Sequence, residues 1–191
     1  MVKKDKSKLK THGNAAGATS SQEKPKKELG RTIESPIEFL TGISTKSFFS
    51  QVFEKEYRVF PATPERREYL TRLFSLSKFF ETAESRDDAA ERLEGPPLLF
   101  SADVNSVRCV DGVKTNFNEL DKPASLEVLK GHWNANRTFQ VLQPQRFEDE
   151  IWNVCARLEQ KLSCLVGCNA YITPQGSQGL APHHDDVELW V

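Results

Sequence analysis

The sequence has no long apolar run and no regular cysteine framework. None of its apolar segments approaches the roughly 18 residues that a membrane-crossing helix needs, and no apolar stretch of the kind found in secretory signals follows the basic N-terminus. The four cysteines show no disulfide-type spacing, which favours a reduced, intracellular protein. From the 191 residues we expect one domain with an extension, and neither a membrane protein nor a secreted, disulfide-stabilised one.

The N-terminal segment is short of apolar and aromatic side chains but rich in lysine. Residues 1–30 contain eight lysines and three acidic residues, a net charge of +5, so the remainder of the chain carries −6. Such a segment cannot bury enough surface to offset its ordering entropy, and we predict a disordered basic tail over residues 1–32. Its lysine clusters are typical of nuclear localisation signals or RNA contacts; a solvated tail without a partner is the alternative.

Residues 33–94 carry helix signals. Ser35, Pro36 and Glu38 have the spacing of a capping box with proline in the first turn, so a helix is predicted there and Gly42 should end it. Ser44 then predicts the start of a second helix in "TKSFFSQVFEKEY".

The helical segment continues to residue 94 with one predicted interruption. "YRVF" is a short strand candidate, Thr63 and Pro64 predict another helix start, and Phe79 and Phe80 belong to a further short helix. We interpret the aromatic residues of this segment as core rather than as a binding platform.

After residue 95 the pattern changes to alternation. Asp111-Gly112 predicts a two-residue hairpin, "RTFQVLQP" and "CNAYITP" predict strands, and "QRFEDEIWNVCARLEQKL" predicts an amphipathic helix. "QGSQGLAP" is typical of a loop. Helices followed by a sheet indicate an α+β fold, with domains at 1–32, 33–94 and 95–191.

The last nine residues, "HHDDVELWV", alternate as a strand would. Because successive strand side chains point to opposite faces, one face should begin with polar residues and continue with apolar ones. The residues expected on that face are His183, Asp185, Val187, Leu189 and Val191. The other face is mostly polar, with His184 and Asp186 at its start.

His183 and Asp185 are therefore the candidate metal ligands. An imidazole and a carboxylate two residues apart on one strand face can occupy adjacent positions on one metal, and a distant histidine would complete a 2-His-1-carboxylate triad with open positions for a cosubstrate and O2. A solvated polar strand end is the alternative that these residues leave open. A helical His184-Asp185 pair of a metal phosphohydrolase is disfavoured by Pro182 and the alternation.

The surrounding sequence resembles the JmjC-type ribosomal oxygenases, a family of histidyl-hydroxylases and lysine demethylases. The similarity is carried by "YITPQGSQGLAPHHDDVE", by "VLQPQRFEDEIW" and "ADVNSVRCVDG", and by "SFFSQVFEK" near the start. It extends from about Ser35 to Val191 and is strongest from residue 98 onward. The resemblance implies a helical segment leading into a JmjC/cupin-like double-stranded β-helix, here incomplete.

The resemblance also implies the roles of individual residues. It makes His183 and Asp185 ligands of Fe(II), Tyr171 a contact of the 2-oxoglutarate cosubstrate, and Asn105 and Asn169 contacts of the substrate peptide. Turn and backbone capping is the alternative for both asparagines. The implied reaction uses O2 to hydroxylate a histidine of a large-subunit ribosomal protein, with histone lysine demethylation ranked lower.

The third metal ligand is not evident in the sequence. The remaining histidines are His12 in the tail and His132, which we expect in a loop beside Trp133. In the family that ligand and the lysine that binds 2-oxoglutarate come from later strands, so we expect this chain to be a fragment or short isoform and inactive by itself.

The expected setting follows from the same resemblance. We expect the nucleus and nucleolus as the location, a ribosomal protein or histone as the partner, no membrane association, and a homodimer only in a full-length form. The alternative function is an inactive binder of a ribosomal or chromatin protein.

Overall fold

A computed structural model describes residues 33–185 and Leu189. The predicted disordered tail over residues 1–32 lies outside the described residues, as do residues 186–188, 190 and 191. Among the helices of the described part, none is long and apolar enough to cross a membrane.

Within the described residues four helices precede the sheet, as the capping signals predict, although the first is not capped as expected. Ser35 precedes the first helix, but its hydroxyl accepts no capping hydrogen bond, and Glu38 instead accepts from the backbone N–H and hydroxyl of Thr45. The helix ends at Gly42 with φ of 75°, as predicted. The four helices are α1 (Pro36–Thr41), α2 (Thr45–Gln51), α3 (Pro64–Leu73) and α4 (Leu76–Glu91).

The caps of α2 and α3 follow the predictions, whereas the strand between them does not form. The Ser44 hydroxyl accepts from the Ser47 N–H and the Thr63 hydroxyl from the Arg66 N–H. "YRVF" forms no strand, and Tyr57 is 95% exposed. The prediction was wrong because alternation alone does not supply a strand with ladder partners; no strand of the described region pairs with this segment. The short helix predicted around Phe79 is the 16-residue α4.

The later part of the chain builds a four-stranded antiparallel sheet, which confirms the predicted α+β class. Its strand order is β2-β1-β3-β4. Asp111 and Gly112 both have positive φ, 51° and 77°, in the turn between the first two strands, so the predicted hairpin is confirmed. The strands are β1 (Val104–Val110), β2 (Val113–Asn116), β3 (Thr138–Leu142) and β4 (Asn169–Ile172).

Two helices are inserted between the strands. α6 (Asp149–Leu162) is the predicted amphipathic helix, with Ile151, Cys155 and Leu158 buried on one face. α5 (Leu126–Asn134) was not predicted, although the Ser125 hydroxyl caps it by accepting from the Val128 N–H. A short 3-10 turn at Pro144–Arg146 precedes α6.

One face of the sheet packs against the helices and forms the core; we call it the helix-covered face. Phe139 and Val141 of β3 are fully buried there, and the Phe139 ring lies 5.4 Å from the Phe79 ring of α4. Leu129 of α5 and Ala83 of α4 belong to the same cluster. Burial of these side chains is the main apolar contribution to holding the helices on the sheet.

The opposite face carries Asn105, Gln140 and Tyr171 in register across three strands, and we call it the polar face. Asn105 pairs with Gln140 across β1 and β3, and Gln140 pairs with Tyr171 across β3 and β4. Directly opposed residues of antiparallel strands share a face, so these three side chains form one row.

Candidate metal centre on the polar side of the sheet

The segment after β4 crosses the polar face and leads to His183. The Gln178 carbonyl accepts a hydrogen bond from the Cys109 N–H of β1 at 2.7 Å, and the Thr138 hydroxyl donates to the Thr173 hydroxyl at 3.1 Å. Cys109 and Thr138 are buried, being 5% and 1% exposed. The predicted loop "QGSQGLAP" is therefore a tethered crossing segment.

Gly179 is the tightest point of that crossing. It is buried, and a Cβ atom built on it would lie 2.5 Å from the Thr138 side chain. Any side chain at this position would collide with Thr138 at the start of β3. A glycine is therefore required here by close approach, and the path of the chain towards His183 depends on it.

His183 and Asp185 lie together at the end of this segment. The His183 Nε2 and the Asp185 Oδ2 are 3.2 Å apart, and their side chains are 43% and 28% exposed. The His183 Nδ1 is 2.8 Å from the Ala181 carbonyl oxygen. Because a carbonyl oxygen only accepts, Nδ1 is the donor of this hydrogen bond, and Nε2 is the ring nitrogen that faces the carboxylate.

The local backbone differs from the predicted strand. Residues 183–185 are not assigned to a strand or a helix, and the strand predicted to continue from them lies largely outside the described residues. The two side chains converge all the same, because the hydrogen bond from His183 to Ala181 turns the imidazole towards Asp185. A helical His184-Asp185 pair receives no support, since no described helix includes them.

The pair fits two positions of a metal site. Protein nitrogen and oxygen ligands lie about 2.0–2.2 Å from a divalent metal, so two adjacent octahedral ligands are about 3 Å apart. The observed separation of 3.2 Å is close to that value. A metal-binding histidine usually donates its other ring N–H to a group such as a backbone carbonyl, and His183 Nδ1 has the Ala181 carbonyl as this partner. Within residues 33–185 and Leu189, no group of three or more potential ligands is found.

His132 is committed elsewhere in the fold. It lies in α5 and not in the predicted loop, and it is only 4% exposed. Its Nδ1 is 2.7 Å from the Ser106 hydroxyl, and its Nε2 is 3.2 Å from Glu119 Oε1. Burial lowers the pKa of His132. This histidine is thus a buried link between helix and sheet, not a metal ligand.

Tyr171 and Asn105 are connected through a residue that the sequence did not single out. Gln140 donates from Nε2 to the Tyr171 hydroxyl at 3.3 Å and accepts on Oε1 from the Asn105 Nδ2 at 3.2 Å. Gln140 alternates with buried Phe139 and Val141. A polar residue between two buried apolar ones was the signal that places it on the other face.

Asn169 shares the polar face with Tyr171 but has a backbone partner. Its Oδ1 accepts from the Gln143 N–H at 3.4 Å, and Gln143 has a φ of 51°. The side chain oxygen thus supports an unusual backbone conformation after β3. This is the capping arrangement that was the alternative to a substrate contact.

The five predicted residues accordingly form two groups and one separate position. His183 and Asp185 pair with each other, Asn105 and Tyr171 are joined through Gln140, and Asn169 lies on the same β4 face as Tyr171. Their roles in binding metal, cosubstrate and substrate stay predictions.

Comparisons with known proteins agree with the sequence resemblance. Residues 140–191 match the JmjC domain family. "Ribosomal oxygenase 2" of Rattus norvegicus is 35% identical over 176 residues, covering 87% of this chain and 36% of the rat protein. The Bos taurus protein of that name is 35% identical over 154 residues, covering 80% and 31%.

A second group of relatives carries a different name. "Bifunctional lysine-specific demethylase and histidyl-hydroxylase NO66" of Caenorhabditis briggsae is 32% identical over 123 residues, which cover 64% of this chain and 14% of the relative. The chain spans about a third of the length of the ribosomal oxygenases that it matches.

Proposed function

The chain belongs to the JmjC-domain family that includes the ribosomal oxygenases, and on that premise we propose that it carries part of an Fe(II)- and 2-oxoglutarate-dependent oxygenase site. The observation that carries the proposal is the 3.2 Å approach of His183 Nε2 and Asp185 Oδ2. One nitrogen and one carboxylate oxygen are two donors of the facial triad of such oxygenases.

The residues of this chain bind and orient in the proposed reaction. His183 and Asp185 hold the metal, and the Ala181 carbonyl keeps the imidazole in the tautomer that presents Nε2. When bound, Fe(II) and 2-oxoglutarate supply the oxidation: O2 is reduced, 2-oxoglutarate becomes succinate and CO2, and one oxygen atom enters a C–H bond of the substrate.

The polar face serves the cosubstrate and substrate in this proposal. Tyr171 donates a hydrogen bond from its hydroxyl to a carboxylate of 2-oxoglutarate, and Asn105 and Asn169 contact the substrate peptide. Their half-buried or exposed positions on one sheet face are compatible with an approaching ligand. The names of the relatives support a protein substrate, and we propose a histidine of a large-subunit ribosomal protein ahead of a histone lysine.

A nuclear and nucleolar location belongs to the same proposal. A substrate that is assembled into ribosomes would be met there, and the lysine clusters of residues 1–30 are of the type that directs proteins to the nucleus. Imaging of the tagged chain with and without these 30 residues tests this part by itself.

The metal site is tested with Mn(II) as a redox-inactive probe, on the longest product of the gene that contains these residues. Loss of an outer-shell partner of a metal ligand already costs about ten- to a hundred-fold in affinity, so His183→Ala and Asp185→Ala should each weaken Mn(II) binding by about a hundred-fold or more. His184→Ala is the matched control, because His184 is an exposed neighbour outside the pair, and it should bind Mn(II) as the unaltered chain does. Loss with His184→Ala and none with His183→Ala would reject the assignment.

Catalysis is tested on a ribosomal-protein peptide with the longest product of the gene that contains these residues. We expect a mass gain of one oxygen that requires 2-oxoglutarate and disappears with His183→Ala. If the peptide is captured without oxidation, and capture survives His183→Ala, the protein is a binder of that partner and the oxygenase proposal fails.

A further inference from the structure

We propose that Asn118 and Gln140 are positioning residues that set the hydrogen-bonding direction of Tyr171 through a one-way chain of side-chain amides. The chain runs from Asn118 through Asn105 and Gln140 to the Tyr171 hydroxyl, across β1, β3 and β4. The inference rests on the proposed function in one respect, namely that Tyr171 holds 2-oxoglutarate.

A backbone group fixes the start of the chain. The Ser106 N–H donates to Asn118 Oδ1 at 2.9 Å, and a backbone N–H can only donate. The oxygen of the Asn118 amide must therefore face Ser106, which turns its NH2 group towards Asn105 and Ser101. The observed contacts agree, since Nδ2 lies 2.8 Å from Asn105 Oδ1 and 2.9 Å from the Ser101 hydroxyl.

Asn118 is itself held firmly. Its own backbone N–H donates to Asn116 Oδ1 at 2.8 Å, and with Ser106, Ser101 and Asn105 this gives the residue four hydrogen bonds at 2.8–2.9 Å. Asn118 is half-buried in the turn after β2. An amide with this many fixed partners has little freedom to exchange its oxygen and nitrogen.

The direction is transmitted because each amide has one donor end and one acceptor end. With its Oδ1 occupied by Asn118, Asn105 donates from Nδ2 to Gln140 Oε1 at 3.2 Å. Gln140 is then left to donate from Nε2 to the Tyr171 oxygen at 3.3 Å. The strand register places these three residues directly opposite one another, so their side chains can form these hydrogen bonds without any change in the backbone.

The consequence for Tyr171 is a defined role as acceptor from Gln140 and donor elsewhere. Its hydroxyl proton cannot go to Gln140 Nε2, because an amide nitrogen is not an acceptor. A hydroxyl that accepts a hydrogen bond is also a better donor, since hydrogen bonds in a chain polarise one another. Such a phenol suits a carboxylate ligand, which accepts only.

The decisive variant changes one atom of Asn118. Asn118→Asp keeps the oxygen for Ser106 but places a second oxygen opposite Asn105 Oδ1. Asn105 should turn its NH2 group to the new carboxylate and Gln140 should turn in response. The Tyr171 hydroxyl would then donate its hydrogen bond to Gln140 Oε1. In the longest product of the gene that contains these residues, we expect 2-oxoglutarate, measured with Mn(II), to bind about ten-fold more weakly, the value of one charge-assisted hydrogen bond.

Asn116→Asp is the matched control. It makes the same chemical change two residues away, adds the same charge, and retains an oxygen for the Asn118 N–H. Its affinity for 2-oxoglutarate should remain within about two-fold of the unaltered protein, a small change by comparison. An equal loss in Asn116→Asp and Asn118→Asp would assign the effect to charge and reject the relay.

Gln140→Glu breaks the chain one step later and guards against misfolding of the first variant. It still accepts from Asn105 but offers Tyr171 only an acceptor, so the same loss of affinity is expected. In a Tyr171→Phe background neither Asn118→Asp nor Gln140→Glu should weaken binding further, because the group they act through is gone. A purely structural role would instead lower affinity equally in both backgrounds.

Side-chain amide NMR signals test the relay without any ligand. Asn118→Asp should shift the NH2 signals of both Asn105 and Gln140, whereas Asn116→Asp should leave Gln140 unchanged. Unshifted Gln140 signals would overturn the relay, and shifted signals with unaltered 2-oxoglutarate affinity would overturn the positioning role. If the longest product of the gene that contains these residues bound no 2-oxoglutarate, the proposed function would fail while the NH2 signals still decided whether the relay exists.

Discussion

On one face of the sheet Phe139 and Val141 are fully buried among helix side chains, whereas on the other Asn105, Gln140 and Tyr171 are half-buried and joined by hydrogen bonds. Apolar packing needs the right volume but tolerates many sequences. A hydrogen-bonded row needs a particular order of donors and acceptors. The first face therefore stabilises the fold, and the second can carry a function at little cost in stability.

A third region differs from both faces. The segment 174–185 has few buried side chains of its own and is held by the bond from Cys109 to Gln178 and by the close approach of Gly179 to Thr138. The proposed metal ligands thus depend on tethers to the sheet rather than on a core of their own. We expect substitutions at these tethers to displace the segment even when they leave the core intact.

The largest expected effect is on the free energy of unfolding, and it compares the two faces of the sheet at neighbouring residues of β3. Phe139→Ala should lower the free energy of unfolding by about 3–5 kcal/mol, because a buried aromatic ring is lost from the core. Gln140→Ala, the next residue but on the polar face, should cost only about 1 kcal/mol. Urea unfolding of both variants measures the difference, and similar costs would show that the two faces contribute alike to stability.

The next largest effect tests whether the crossing segment is held in place by the close approach of Gly179 to Thr138. Gly179→Ala should lower the free energy of unfolding by about 1–3 kcal/mol, because the new methyl group overlaps Thr138, and it should weaken Mn(II) binding by displacing His183. Gly131→Ala in α5 is the matched control, since nothing lies within 4 Å of a Cβ there, and it should be neutral or stabilising by up to about 1 kcal/mol. Thermal unfolding and Mn(II) titration of both variants measure this; unchanged Mn(II) binding in Gly179→Ala would contradict the tether.

The smallest effect concerns a polar network on the helix-covered face. Burial lowers the pKa of His132, the nearby Arg137 acts in the same direction, and Glu119, itself bound to Lys122, opposes them. The folded protein therefore binds fewer protons than the unfolded chain, and its stability should fall as the pH drops below the ordinary histidine pKa of 6.5.

His132→Gln tests the assignment of that pH dependence. Glutamine can still bond to Ser106 or Glu119 but does not titrate, so the decrease in unfolding free energy between about pH 7.5 and 5.5 should be smaller than in the unaltered protein. Urea unfolding at the two pH values measures it. An unchanged decrease would assign the pH dependence to groups other than His132.

Local patterns predicted the elements with the strongest short-range chemistry. Asp111-Gly112 specified its hairpin because few dipeptides adopt two positive φ angles, and Ser44, Thr63 and the periodic α6 marked helices for similar local reasons. "YRVF" failed because a strand also needs a partner, which local alternation does not reveal. The capping box at Ser35 did not form: the Ser35 hydroxyl accepts no capping hydrogen bond, and the Glu38 carboxylate is bound to Thr45 instead.

The sequence by itself determined the α+β class, the hairpin, most helix starts and the pairing of a histidine with an aspartate two positions on. Only the tertiary structure decided that His132 is buried, that Gly179 touches Thr138, and that Asn118 reaches Asn105. The physical reason is separation along the chain: the contacts of Asn118, Gln140 and Tyr171 join residues 13 to 35 positions apart. Such partners are chosen by strand register and chain path, which become defined only when the whole sheet has formed.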